Sequence, residues 1–340
     1  MKVDSGLLGI SDLSKVGAAA RELEAQGFDA LVTAEVDSDP FLPLVLAAEH
    51  TQRIELMTSI AVAFARNPMT VAQIGNDLQA FSKGRFLLGL GSQIKPHITK
   101  RFGMPWSQPA ARMREFVLAL RAIWDCWYKD SKLEFRGDYY THTLMTPMFT
   151  PKNNPYGPPR VVLAAVGPKM TEVVGEVADG MLVHAFTTAR YLREVSLPAL
   201  ARGLDRAGRV RSDVELCYPA FIVTGRDEKE WQAMRVATAR QIGFYGSTPA
   251  YRGTLDCHGW GDLHLELNRL SKQNRWDDMT GLVGDDVLEA IAVVAPRNEI
   301  ASKLEARFAG IADGVSLTHN RSPDPAHWAD VVRDLRATRR

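Results

Sequence analysis

The chain has 340 residues, 46% of them hydrophobic and 24% charged, with 26 Gly and 18 Pro. That balance excludes a disordered, fibrous or membrane-embedded chain, and the length suits either one large (β/α) barrel or two ordinary domains. Forty-one Lys and Arg against 40 Asp and Glu leave a formal charge of +1, so no bulk field draws nucleic acid or an anionic membrane, and any anion must be caught by a local site.

The first 90 residues alternate between short apolar runs and helix-period segments, the pattern of βα units on a parallel sheet. Val3 to Gly9 reads as a strand. Ser11 and Asp12 offer caps to a helix marked by Leu13, Val16, Ala20 and Leu23 and broken at Gly27. Ala30 to Ala34 is the second strand, Pro43 to His50 a short helix, Ile54 to Val62 the third strand, and Met69 to Phe81 a helix opened by Pro68. SKGR turns the chain into a fourth strand, Phe86 to Leu90, which ends in Gly91. Residues 92–107 have no clear period and read as a long functional loop. Met113, Phe116, Leu120, Ile123, Trp124 and Trp127 then mark one face of a helix, and 133–159 reads as a hairpin or irregular excursion.

Alternation resumes with strands at Val161–Ala165 and Gly180–His184 and helices at Pro168–Val177 and Tyr191–Ala207. Val214 to Val223 is the seventh strand and Glu228 to Ile242 its helix, after which 244–278 fits no βα unit and reads as an insertion or lid. Helices around Val287 and Ile300 lead to a last strand, Gly314 to Thr318, and a closing helix, Pro325 to Thr338. Eight strands in this order predict a (β/α)8 TIM barrel with loop insertions, one domain over residues 1–340.

The cysteines Cys126, Cys217 and Cys257 have neither CxxC nor CxH spacing, so no metal is expected, and a reducing compartment suits them. The start MKVDSGLLG has no signal-peptide pattern, and no apolar stretch reaches the roughly 20 residues of a membrane span, so the expected location is cytoplasmic, away from membranes.

Barrel enzymes work at the C-terminal ends of their strands, which singles out Glu35, Ser59, Gly91, Ser92, Gln93, Val166 to Pro168, His184 and His319. Glu35 is either a proton-handling group or an ion-pair partner. In the turn Ala165-Val166-Gly167-Pro168-Lys169, Gly admits a close backbone approach and the helix-start N–H groups are free, so it is either an anion site or an ordinary βα turn. His97 has no second ligand at metal spacing; it is a proton donor, a cofactor partner or an exposed loop residue, beside Lys95, Lys100 and Arg101. No local signature of a covalent hydrolase is present.

LVTAE at 31–35, DPFLPL at 39–44, TSIAVAFARNP at 58–68, SKGRFLLGLGSQ at 82–93, LAAVGPKM at 163–170 and EVADGMLVH at 176–184 form an ordered set. Together they resemble the luciferase-like flavin and deazaflavin oxidoreductases, most closely the coenzyme F420-dependent branch. The resemblance implies a barrel that binds F420, or alternatively FMN, across the strand ends, with a non-prolyl cis peptide at Ser59–Ile60 backing the ring. It places Glu35 beside the ring, Gly91, Ser92, Gln93 and His97 in a loop that lines it, and Ala165, Val166, Gly167 and Pro168 around the cofactor phosphate, with His184 also on the cofactor side. Where related sugar-phosphate dehydrogenases carry a His after the strand-two acid, this chain has Val36, and Gln93 and Ile94 stand where they carry a Glu.

The implied reaction is hydride transfer between C5 of F420 and a small organic substrate, as a reductase of an activated C=C, C=N or C=O bond. Glu35 and His97 are the catalytic candidates. Tyr245, Tyr251, His258 and Trp260 either close the substrate side or are aromatics that merely pack. The alternatives are an FMN-dependent two-component monooxygenase and a non-catalytic ligand-binding barrel. A homodimer is expected, as is common in that family.

Overall fold

The computed structural model describes residues 1–7, 12–152, 154–317 and 326–337. The expected strand end at Gly9, the Ser11 cap, Thr318, His319, Pro325 and Thr338 lie outside the described residues. Eight short apolar runs pair side by side: β1 (Lys2–Gly6), β2 (Ala30–Thr33), β3 (Glu55–Thr58), β4 (Phe86–Gly91), β5 (Arg160–Ala165), β6 (Gly180–Val183), β7 (Glu215–Pro219) and β8 (Gly314–Ser316). All the pairings are parallel, β8 joins β7 to β1, and β3 pairs with β4 to close the ring. The fold is the expected (β/α)8 TIM barrel.

The main outer helices are α1 (Val16–Gln26), α2 (Leu42–His50), α3 (Pro68–Phe81), α4 (Pro109–Tyr128), α5 (Pro168–Val177), α6 (Leu197–Ala207), α7 (Glu228–Gly246), α8 (Gly261–Lys272), α9 (Ile300–Phe308) and α10 (Ala326–Ala337). The apolar stripe of α4, from Met113 to Trp127, is buried as its spacing predicts. Asn67 caps α3 by accepting the Met69 N–H at 2.9 Å, with Pro68 at the first helical position where it loses no needed donor. None of the described helices is long and apolar enough to cross a membrane.

Alternation along each strand sends one set of side chains inward. Val32, Met57, Leu87, Val162, Leu182 and Cys217 fill the barrel interior as one cluster. Its N-terminal end is closed by four charges: Lys2 lies 3.2 Å from Glu55 and 2.9 Å from Glu215, and Arg160 lies 2.8 and 3.0 Å from the same two carboxylates. Aspartates just before β2, β6 and β8 accept the N–H groups at the starts of neighbouring strands. Asp29 takes Val3, Asp179 takes Val161 and Asp313 takes Leu216, each at 2.8 Å.

Three expected elements differ. The run Ile54–Val62 is two pieces, because pairing with β4 passes from Met57↔Leu87 to Ala61↔Leu90 and so inserts one extra residue, a bulge. The run Val214–Val223 leaves the barrel after Pro219, whose ring supplies no N–H to a ladder, and Phe221–Val223 pairs with Ala292–Val294 instead. The 244–278 excursion is helical, with α7 running on to Gly246 before Arg252–Asp256, α8 and Trp276–Gly281. It rests on a satellite core that includes Phe186, Phe221, Ile242, Leu255 and Val287. The 133–159 excursion holds the expected hairpin as a short antiparallel pair, Phe135–Arg136 with Thr141–His142, and the 92–107 loop contains a π-type turn, His97–Arg101.

Candidate active site

The bulge after β3 shapes one wall of the barrel mouth. The Ser59–Ile60 peptide is cis, at the expected bond. Just before it, the Thr58 hydroxyl donates to the Gly89 carbonyl at 2.7 Å and accepts the Gly89 N–H at 2.9 Å, replacing the strand ladder that the bulge interrupts. Only Gly fits opposite: a Cβ on Gly89 would lie 1.7 Å from the Thr58 carbonyl oxygen.

Glu35 clamps this bulge from β2. Its N–H donates to the Ile60 carbonyl at 3.2 Å, and its carboxylate accepts the Val62 N–H at 2.7 Å and Arg66 at 2.5 Å. Arg66 also reaches Asp39 at 3.1 Å and lies over the Phe41 ring. Of the two roles weighed for Glu35, the ion pair is the one visible in the structure.

A pocket of about 360 Å³ opens at the strand ends. Of the residues singled out in the sequence, Glu35, Ser59, Ile60, Gln93, Ala165, Val166, His184 and Tyr245 line it. Gly91 is buried behind the bulge, paired with Val62, and the Ser92 hydroxyl turns to the Gln93 carbonyl at 3.2 Å. Gly167 and Pro168 sit at the head of α5 just beyond the lining, where a Cβ on Gly167 would meet no atom within 4 Å. His97 is exposed and outside the lining residues. Arg101 of the same turn reaches the rim, donating to the Val36 carbonyl.

The aromatic group divides. Tyr251 stacks on His184 with centroids 4.2 Å apart, while Tyr245 meets the same imidazole edge-on at 4.7 Å. The His184 Nδ1 accepts the Phe186 N–H at 3.1 Å, which fixes the ring between the two tyrosines. Burial pushes the Tyr251 hydroxyl up to about 12. His258 stacks on Trp260 and lies 2.8 Å from the Thr188 hydroxyl, away from the lining; burial lowers its pKa, and Arg190 adds to the effect. Neither side chain is among the residues that line the pocket.

The sequence reading missed the pocket floor. Asp4, Cys217 and Ser316 line it, and the Cys217 thiol donates to Asp4 Oδ2 at 3.2 Å. Burial pushes the Asp4 carboxyl up to about 7, against the opposing pull of that hydrogen bond. The thiol is pushed up well above its ordinary range, by burial first and then by Asp4. An acid at an inward position of the first strand was the available signal. Among the described residues no group of three or more His, Cys, Asp or Glu is placed to hold a metal ion.

A closed parallel barrel with a pocket at the strand C-termini defines a (β/α)8 enzyme scaffold. Within that class the chain belongs to the luciferase-like monooxygenase family, whose pattern matches residues 1–314, and it is an oxidoreductase of that family. It is 59% identical over 305 residues, 90% of each chain, to an uncharacterized protein of Mycobacterium tuberculosis. It is 32% identical over 191 residues, 54% of each chain, to the F420-dependent glucose-6-phosphate dehydrogenase of Intrasporangium calvum. Among solved structures, the coenzyme F420-dependent tetrahydromethanopterin reductase of Methanopyrus kandleri superposes with a TM-score of 0.78 at 20% identity, covering 98% of this chain and 96% of that one.

Proposed function

We propose that the protein is a coenzyme F420-dependent oxidoreductase, one catalytic domain that reduces an activated C=C, C=N or C=O bond of a small organic substrate. The observation that carries this reading is the convergence of three separate segments, the β3 bulge, the end of β4 and the β5 turn, on one pocket at the barrel mouth. The residues fit a flat ring with an anionic tail. Val32, Met57, Ile60, Ala164 and Leu182 offer apolar walls, and the head of α5 leaves open space before free backbone N–H groups, the arrangement that receives phosphate.

When bound, the deazaflavin supplies the hydride at C5. The chain supplies position. Ser59 and Ile60 back the ring, Glu35 and Arg66 hold that backing in place, Gln93 and His184 flank it, and the Ala165–Pro168 turn takes the phosphate. Tyr245 faces the substrate, with Tyr251, His258 and Trp260 behind it. Oxidation of a sugar alcohol is the less suitable direction, because Val36 offers no base for the hydroxyl proton.

FMN with oxygen, the two-component monooxygenase chemistry, is the second reading, favoured by the family in which the chain falls. Titration with F420 and, separately, with FMN tests the choice. Substrate-dependent oxygen uptake with reduced FMN would favour the second. As partner we propose a second copy of this chain, seated on the apolar groove of about 580 Å³ between α2 and α3, where Leu42, Val45 and Phe81 are exposed.

A further inference from the structure

The floor of the pocket holds an acid that none of the roles above uses. Asp4 faces inward from β1, in register with Ser316 of β8, and is almost wholly buried. Its Oδ2 accepts the Cys217 thiol, while Oδ1 is buried with no hydrogen-bond partner among the described residues. A buried carboxylate oxygen without a partner is costly. Protonation removes the charge and turns that oxygen into a donor.

Two cavities meet at this side chain. Above lies the pocket of about 360 Å³, whose lining includes both Asp4 and Cys217. Below lies one of about 20 Å³, enough for a single water. We propose that Asp4, braced by Cys217, is the polar floor of the cofactor pocket, and that its carboxyl O–H donates a hydrogen bond to a carbonyl oxygen of the bound ring. The inference rests on the pocket taking a ring cofactor, as proposed above.

The surroundings favour the protonated acid. Beneath Asp4 lie Glu55 on β3 and Glu215 on β7, both of which raise its pKa, with Lys2 on its own strand opposing them. Arg160 of β5 pairs with both glutamates, and Asp179, before β6, shares the lower cavity. On the mouth side stand His184 and Glu35, the latter paired with Arg66. No cation touches Asp4 itself among the described contacts, so the acid keeps its proton up to about pH 7.

The test is the F420 dissociation constant, followed by fluorescence from pH 6 to 8, for the wild type, Asp4→Asn and Cys217→Ala. Wild-type affinity is expected to fall about tenfold more between pH 6 and 8 than that of Asp4→Asn, whose amide donor does not titrate. Cys217→Ala, lacking the thiol that stabilises the carboxylate, should shift the fall to higher pH. Identical pH profiles for the wild type and Asp4→Asn, with both proteins folded by circular dichroism, would overturn the inference and leave Oδ1 to a water in the lower cavity. Failure of the wild type to bind either F420 or FMN would overturn the cofactor reading and this inference with it.

Discussion

Arg66 holds the Glu35 carboxylate at 2.5 Å, and the same oxygen accepts the Val62 N–H at 2.7 Å. The pair ties the end of β2 to the chain just past the bulge, so a side-chain ion pair sets the shape of a backbone wall. Glu35 is 8% exposed, so this is a largely desolvated pair.

Removing one partner therefore costs more than neutralising the other. Arg66→Met leaves a buried carboxylate uncompensated and should destabilise the protein by about 3 kcal/mol or more. Glu35→Gln keeps shape and should cost about 1–2 kcal/mol. Urea unfolding at neutral pH checks the order, and equal losses would mean that the pair is effectively solvated.

Asp4 makes stability depend on pH in an unusual direction for an acid. Its carboxyl is raised from 3.8 to about 7, so folding favours the protonated form. That contribution is complete below about pH 4 and is lost as pH rises through about 7. At 1.36 kcal/mol per pKa unit, the wild type should lose about 2–3 kcal/mol relative to Asp4→Asn between pH 5 and pH 8. Parallel urea titrations of the two proteins measure the difference; a constant gap would mean that Asp4 stays ionised.

Gly167 separates fold from binding. Its φ is −100° and a Cβ there meets nothing within 4 Å, so Gly167→Leu should keep its melting temperature. A leucine side chain over the head of α5 should weaken F420 binding about tenfold or more by blocking the N–H groups of the turn. Unchanged affinity would remove the turn from the site.

The exposed face of α2 and α3 predicts assembly. Phe81 is 51% exposed beside Leu42 and Val45. Sedimentation velocity should find a dimer for the wild type and a shift towards monomer for Phe81→Asp, which places a charge in the proposed contact. A wild-type monomer at micromolar concentration would refute the interface.

The barrel was legible because each βα unit announces itself locally: Pro68, Gly27 and the apolar stripe of α4 act within a few residues. The bulge bond at Ser59–Ile60 was legible only through the family resemblance, since nothing in periodicity distinguishes it from a plain strand end. Where the reading fell short, the cause is tertiary. Pro219 ends a strand whose apolar pattern continues, because its continuation finds another partner in Ala292–Val294. His97 sits in a loop rich in polar groups, yet the π-type turn leaves it exposed while Arg101 reaches the rim. Asp4 was missed because its importance comes from Cys217, 213 residues away, and from the ring of charges beneath. The aromatics of 244–278 looked alike in sequence; only the satellite core decides that Tyr245 faces the pocket and Trp260 does not.

The central claim is tested most directly by titrating the purified protein with F420 and with FMN under the same conditions, following intrinsic tryptophan fluorescence. The account predicts saturable F420 binding at least about tenfold tighter than FMN, a difference of about 1.4 kcal/mol, and loss of that preference in Gly167→Leu. Tighter binding of FMN would contradict it.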